Sequence, residues 1–375
     1  MDLSETYKGL IVCDLSQGVA GPNATMLLAQ YGADVIKVEP PEGDWARTMG
    51  ERFGDHCAHS YTFNLGKRSI DLDLKSVDGQ TAIRKLIQRS DVFVESFRPG
   101  VAARLGLSYE DARKLRPSII YASLSGFGQS GPYSQRGAVD ALMQGFSGMM
   151  VMNQTPTGQP HRMNMTTVDV LSGLYLFGAL GAAIFRQRQS GEGGYLDISM
   201  MQSAAAFQAA KIMEFHLAGG KPKLLYMPVG CLRTRDGAIS LSTMRQEHYE
   251  ALCRSLGRED LISDPRFAEL STRISHGEQL MRELERETSH YETLDVLQKL
   301  HKAGVLVERI QTYGEWLRDT HVQHTNGYRW IEHPVVGQVP FVTLPGLSLP
   351  PPGSRRLRAP QIGEHMAEVM KDLDQ

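Results

Sequence analysis

Between residues 9 and 128, short apolar runs alternate with amphipathic stretches. "GLIVCDLS", "DVIKVEPP", "DVFVESF" and "SIIYASLSGFG" are brief and rich in β-branched or aromatic residues, which predicts buried strands. "RSIDLDLK" alternates apolar and polar positions and predicts another strand. "GPNATMLLAQYGA" predicts a helix with Pro22 near its start, where a missing N–H costs nothing, and Gly32 near its end. "SVDGQTAIRKLIQRS" puts Ile83, Leu86 and Ile87 on one helical stripe, and "GVAARLGLSYEDARKLRP" reads as helix in two pieces. Strands alternating with helices predict a Rossmann-like α/β fold, a parallel sheet covered on both faces.

Beyond the loop "GFGQSGPYSQRG" the pattern is helical to Arg188; "GGYLDISM" then predicts a strand and "QSAAAFQAAKIMEFHLAG" a helix. The texture changes near residue 222. "MPVGCLRTRDGAISLS" predicts an antiparallel hairpin turning at Arg235, Asp236 and Gly237, and charged amphipathic helices follow. "LPGLSLPPPGSRRLRAP" reads as a proline-rich linker and "APQIGEHMAEVMKDL" as a closing helix. The expected division is a large α/β domain over residues 1–224, to which 331–375 returns, and a smaller α+β domain over 225–330.

Composition narrows the function classes. The chain has 375 residues, 41% of them hydrophobic, enough to build two cores. Its formal net charge of −2, without a block of basic residues, argues against a nucleic-acid partner. The apolar run Val170–Phe185 is broken by Ser172, Gly173, Gly178 and Gly181 and falls short of about 20 residues, so no membrane span is expected. The charged start "MDLSETYKGL" is not expected to act as a secretory signal. Cys13, Cys57, Cys231 and Cys253 are scattered without a CxxC, so a cytoplasmic setting is expected.

One carboxylate stands out. Asp169 heads a long, glycine-studded apolar stretch whose next charge is Arg186. Taken alone it reads as a helix N-cap, a role Thr166 or Thr167 could fill equally well. Gly173, Gly178 and Gly181 suggest a face that a second helix or a flat ligand approaches closely. Lys67, Arg68, Lys75, Arg98, Arg104 and Arg136 fall at predicted strand and loop ends, where they would either meet a polyanionic ligand or form an ordinary charged surface. Glu39 ends the second strand, where a ribose-binding acid would sit, but "SQGVAGP" lacks the GxGxxG spacing. His56, Cys57 and His59 have no second cluster to complete a metal site, so no metal is expected. Met200, Met201, Met213, Met227 and Met244 read as core or as an adaptable apolar pocket.

"VAGPNATMLLAQYGADVIKVEPPEGD", "NLGKRSIDLDLKSVDG", "DVFVESFRPGVAARLGL", "IIYASLSGFGQSGPYSQRGAVDALMQGFSGMM" and "RQRQSGEGGYLDISMMQSA" together resemble the class III CoA-transferases, over roughly residues 8–220. That superfamily also holds formyl-CoA transferase, carnitine CoA-transferases and α-methylacyl-CoA racemases. The resemblance implies that Asp169 is a nucleophile forming a covalent aspartyl-CoA thioester as CoA passes from an acyl-CoA donor to a small carboxylic acid. It implies CoA contacts at Val19 and Ala20; at Leu72, Asp73, Leu74 and Lys75; at Ser96, Phe97, Arg98 and Arg104; and at Arg136, Gly137, Ala138, Val139 and Asp140. It also implies an interlocked homodimer.

The chain departs from the superfamily's patterns in places. The racemases carry a histidine base where Val139 stands, and a valine cannot move a proton. The glycine run that closes over the active site of formyl-CoA transferase is missing between 225 and 265, and Pro40 replaces its CoA-contacting arginine. Oxalate or formate specificity is therefore not implied. An acyl-CoA racemase and a non-catalytic CoA-binding protein are the alternatives.

Overall fold

The computed structural model describes residues 1–155, 157–220 and 224–374. They divide into two compact units, Met1–Ile212 with Gly327–Gln375, and Met213–Asn326.

In the first unit the order is β1 (Ile11–Leu15), α1 (Ala20–Gln30), β2 (Asp34–Glu39), a small hairpin of β3 (Arg52–Phe53) and β4 (His56–Cys57), α2 (Ala58–Thr62), β5 (Arg68–Asp71), α3 (Val77–Arg89) and β6 (Val92–Glu95). It continues with α4 (Val101–Arg104), α5 (Tyr109–Leu115), β7 (Ile120–Ser125), α6 (Asp140–Phe146), α7 (Met149–Met152), α8 (Thr167–Ser190), β8 (Gly194–Ser199) and α9 (Met200–Phe207). Six strands form one parallel sheet in the order β5-β2-β1-β6-β7-β8. The chain builds outward from β1 in both directions, so the strand order reverses between β1 and β6.

Alternation along each strand explains why the apolar runs look continuous. Val12, Val35, Val92, Val94 and Ile120 face one side, where α1 and α8 supply Ala24, Leu28, Leu176, Leu180 and Ile184. Cys13, Ile36, Ile70, Phe93 and Tyr121 face the other, under Ile83, Leu86 and Ile87 of α3 and Val369 near the C-terminus. A parallel sheet buried on both faces leaves no polar side to its strands.

α8 is longer than its apolar run suggested. Its 24 residues are long and apolar enough, by length and composition, to cross a bilayer. Here it is packed against α1 and the sheet instead. Of its glycines, Gly173 is the one pressed against backbone: a Cβ there would meet Ala20 O at 2.7 Å and Asn23 Nδ2 at 2.5 Å. Gly178 has open space beside it. The helix expected after β8 breaks at Gln208 into α9 and α10 (Ala209–Leu217).

The proline-rich tail is a packed strap rather than a loose linker. Leu357 and Ala359 join a core with Met26, Leu27, Tyr61 and Phe341, and Gly66 N–H donates to Arg358 O at 2.9 Å. The closing helix begins later than expected, at Met366.

The second unit contains the expected hairpin, β9 (Val229–Arg233) with β10 (Ala238–Ser242), extended by β11 (Leu306–Arg309) in an antiparallel sheet ordered β11-β10-β9. Its own core joins Leu232, Ile239 and Leu241 to Tyr249, Leu252, Phe267, Leu280, Leu284 and Leu300.

Candidate active site

The reversal between β1 and β6 opens a crevice at the carboxyl ends of the strands, where open α/β sheets bind ligands. Gln17, just past β1, donates its backbone N–H to Ser96 Oγ, just past β6, at 2.8 Å. A cavity of about 230 Å³ lies here, lined by Gln17, Val19, Ala20, Trp45, Ser96, Phe97, Arg98, Arg136, Ala138, Val139, Asp169 and Met200 among others. A second, of about 410 Å³, is lined by Glu39, Pro40, Pro41, Glu42, Leu72, Asp73, Leu74, Lys75 and Leu105 among others, and shares Gln17 and Phe97 with the first. The two chambers adjoin through these shared residues, and Asp169 belongs to the first.

That carboxylate is Asp169, in the first turn of α8 and half-buried. The capping role open to it is filled by another residue. Thr166 holds the N-cap position and makes no side-chain cap. Asp140 instead reaches across from the start of α6: its Oδ2 accepts the N–H groups of Val168 at 2.7 Å and Asp169 at 3.2 Å, and its Oδ1 accepts Gln144 Nε2 at 2.6 Å. Asp140 is thus buried and turned to the helix, so its carboxylate is a brace under α8 rather than a cleft contact. Among the described residues no donor reaches the Asp169 carboxylate. Burial, and then the nearby Asp140 charge, push its pKa up to about 7. A carboxyl left without partners in a cleft, with its proton poised near neutrality, has the character of a reactive group.

The six basic residues expected at strand and loop ends separate into two kinds. Lys67 and Arg68 belong to the interior, and the reading of them as ligand contacts is corrected. Lys67 Nζ donates to Asp14 Oδ2, Pro22 O and Asn64 Oδ1, and burial pushes its pKa down to about 8. Arg68, at the amino end of β5, pairs with Asp34, Glu368 and Asp372. The other four have no carboxylate partner among the described residues. Arg98 and Arg136 line the first chamber and Lys75 the second, while Arg104 ends α4 next to Leu105 on the second chamber's wall. Arg136 lies over the Tyr133 ring, 3.5 Å from its centroid. Gly137 adjoins Arg98: a Cβ on it would sit 3.1 Å from Nη2. Three exposed cations in the cleft and a fourth beside it, with no carboxylate partner among the described residues, suit a ligand with several negative charges.

Glu39 does not have the geometry of a ribose-binding acid. Its carboxylate accepts Arg47 Nε at 2.7 Å and Nη2 at 2.6 Å, together with Asp44 N–H and Ser69 Oγ. Its pKa, which burial alone would raise, is brought down to about 2 chiefly by Arg47. His56 and Cys57 are buried in β4, and no group of three metal-ligating side chains occurs among the described residues. Of the five methionines, Met200 and Met201 pack in one cluster and the other three lie apart from it. Met200 reaches the cleft, Met227 packs in the second unit's core, and Met213 and Met244 are exposed. Gln17 and Trp45, which the sequence patterns did not single out, both line the first chamber. Their one signal was position, in the loops that follow the carboxyl ends of β1 and β2.

The family model described as CoA-transferase family III matches residues 7–366. The chain is 32% identical over 380 residues to a succinate–glutarate CoA-transferase of Agrobacterium fabrum, spanning 98% of this chain and 95% of that one. It is 35% identical to an acetyl-CoA:oxalate CoA-transferase of Acetobacter aceti, over 80% of this chain and 79% of the other. Among solved structures it is similar to a CAIB/BAIF family protein from Brucella suis, with a TM-score of 0.87 and 30% identity over 98% of this chain and 99% of that one. The cleft at the sheet's point of reversal, with its unpartnered Asp169 carboxylate and exposed cations, now has its family: the chain belongs to CoA-transferase family III and is an enzyme of that class.

Proposed function

We propose that the enzyme moves CoA from an acyl-CoA donor to a small carboxylic acid, with Asp169 as covalent nucleophile. The observation that carries this reading is the division of labour at the head of α8. Asp140 takes the cap, which leaves the Asp169 carboxylate unpartnered inside the cleft. The relatives named for succinate, glutarate and oxalate support a short acid as acceptor.

In this mechanism the ionised Asp169 attacks the donor's thioester carbonyl and the C–S bond breaks, leaving a mixed anhydride and CoA thiolate. The thiolate attacks the aspartyl carbonyl and releases the donor carboxylate, which gives aspartyl-CoA. The acceptor carboxylate attacks that thioester and frees the thiolate again. The thiolate then takes the acceptor's acyl carbon, and the Asp169 carboxylate is restored. CoA stays bound throughout, held along the two chambers by Lys75, Arg98, Arg104 and Arg136, because hydrolysis would destroy both intermediates. Val19, Ala20, Leu72 to Lys75, Ser96, Phe97, Ala138 and Val139 are the proposed walls for the CoA chain. Val139, which lines the chamber holding Asp169, provides no second base for a racemase.

Intact-protein mass spectrometry tests the nucleophile. Wild-type protein incubated with succinyl-CoA or another short acyl-CoA is expected to gain an adduct of CoA mass that hydroxylamine removes. The same adduct on Asp169→Ala would overturn the assignment.

We further propose a homodimer. Leu174, Tyr175 and Phe185 of α8 and Leu142 and Phe146 of α6 are exposed large apolar side chains, of the kind that interaction surfaces carry. A second copy of this chain is the proposed cover.

A further inference from the structure

Beneath the cleft lies a set of charges that the transfer chemistry does not use. Asp14, Lys37, Asp44 and Lys67 are all buried, joined as Lys37–Asp44 at 2.7 Å and Lys67–Asp14 at 3.0 Å. Buried ion pairs contribute little stability beyond well-packed apolar residues of the same shape. Their value here is in what they hold.

The Asp44 carboxylate accepts Gly18 N–H at 3.0 and 3.2 Å and Ala46 N–H at 2.9 Å. Lys37 Nζ donates both to this carboxylate and to Ser16 O. Gly18 belongs to the loop after β1. Ala46 belongs to the 3-10 helix Trp45–Thr48, which Asp44 caps. These two segments bring Gln17, Val19 and Trp45 to the chamber of Asp169. They also touch each other. A Cβ on Gly18 would fall 2.5 Å from Trp45 Cζ2, and Gly18 has φ of +83°, so glycine is needed there for both space and conformation. From the other side Asp14 holds the same loop through the Ser16 N–H and hydroxyl, and ties it to Thr25 of α1.

We propose that Asp44 is a positioning residue for CoA transfer. Through one carboxylate, neutralised by Lys37, it locks the Ser16–Val19 loop against Trp45 and so shapes the cleft around Asp169. The inference rests on the reading that this cleft takes acyl-CoA. Asp44 does not line the cavity itself and acts only through the segments it holds.

Two double variants separate this role from ordinary stability: Lys37→Met with Asp44→Asn, and Lys37→Met with Asp44→Ala. Both are made with Trp316→Phe and Trp330→Phe, so that of the three tryptophans only Trp45 remains. Both remove the ion pair. Asparagine keeps an oxygen for the Gly18 and Ala46 amides, and alanine does not. The asparagine double is expected to keep the acyl-CoA KM and the acrylamide quenching of Trp45 within about threefold of the background. The alanine double is expected to raise KM by about tenfold or more, with a smaller change in kcat and a more accessible Trp45. Equal KM and equal quenching in the two doubles overturn the proposal. If neither double folds, Gly18→Ala decides, because it pushes the loop and the indole apart while leaving the charges intact. It is expected to show the same rise in KM, and an unchanged KM overturns the proposal. Failure of the underlying reading shows differently: wild-type protein would bind no CoA by calorimetry, yet the ligand-free Trp45 quenching would still separate the doubles.

Discussion

Asp169→Asn is expected to abolish CoA transfer and at the same time to stabilise the fold. Loss of a covalent nucleophile costs about 10⁴-fold or more in turnover, since the remaining groups cannot take over the bond-forming role. The stability gain follows from linkage. Burial and the Asp140 charge hold the folded-state pKa near about 7, well above that of an unfolded aspartate. Below about pH 4 both states carry the proton and the difference vanishes. As pH rises toward 7 the unfolded chain has already released its proton while the folded protein retains it, so stability falls. Above 7 the full cost is present. Each pH unit between the two values is worth about 1.4 kcal/mol. The side chain is only half-buried, so about 1–3 kcal/mol remains after solvent screening. Asparagine removes that cost. Its thermal midpoint is expected to exceed the wild-type value by a few degrees at about pH 8 and to match it at about pH 4. A variant that turns over normally, or melts lower than wild type at the higher pH, would sink this account of Asp169.

The second large effect is on pH dependence. As the proposed nucleophile Asp169 would react only when ionised, so kcat/KM of the free enzyme is expected to fall about tenfold per pH unit below its pKa. With that value at about 7, activity at pH 5 should be roughly a hundredfold lower than the plateau. Asp140→Asn keeps an oxygen to cap α8 but removes the neighbouring charge, so the acid limb moves to lower pH. It moves only part of the way to an ordinary carboxylate, because burial is the larger cause and remains. A wild-type limb near pH 4, or one that Asp140→Asn leaves in place, would show that the Asp140 charge does not tune Asp169.

The local pattern placed Asp169 at the head of a helix but, apart from the family resemblance, could not separate a cap from a reactive group. The residue that fills the cap is Asp140, which lies 29 positions earlier and meets α8 only through tertiary packing. The same limit explains Lys67 and Arg68. Both stand at the edge of a strand pattern, as a ligand-binding cation would. Their actual partners, Asp14 and Asp34, come from β1 and β2 and are 53 and 34 residues away. Gln17 and Trp45 carried no motif, since their segments are joined through Gly18 and Ala46 N–H groups that donate to the buried Asp44 carboxylate rather than by their own spacing.

By itself the chain determined the alternating strands and helices, the hairpin of the second unit, and one isolated carboxylate before a glycine-studded helix. Each depends on neighbours close in sequence, through side-chain period, turn chemistry and local charge. Only the tertiary structure decided which cations stay free for a ligand, which acid caps α8, and where the two chambers meet. Those outcomes depend on which distant groups share a buried, low-dielectric space. There an available counter-charge turns a potential contact into part of the scaffold, and its absence leaves a side chain free to act.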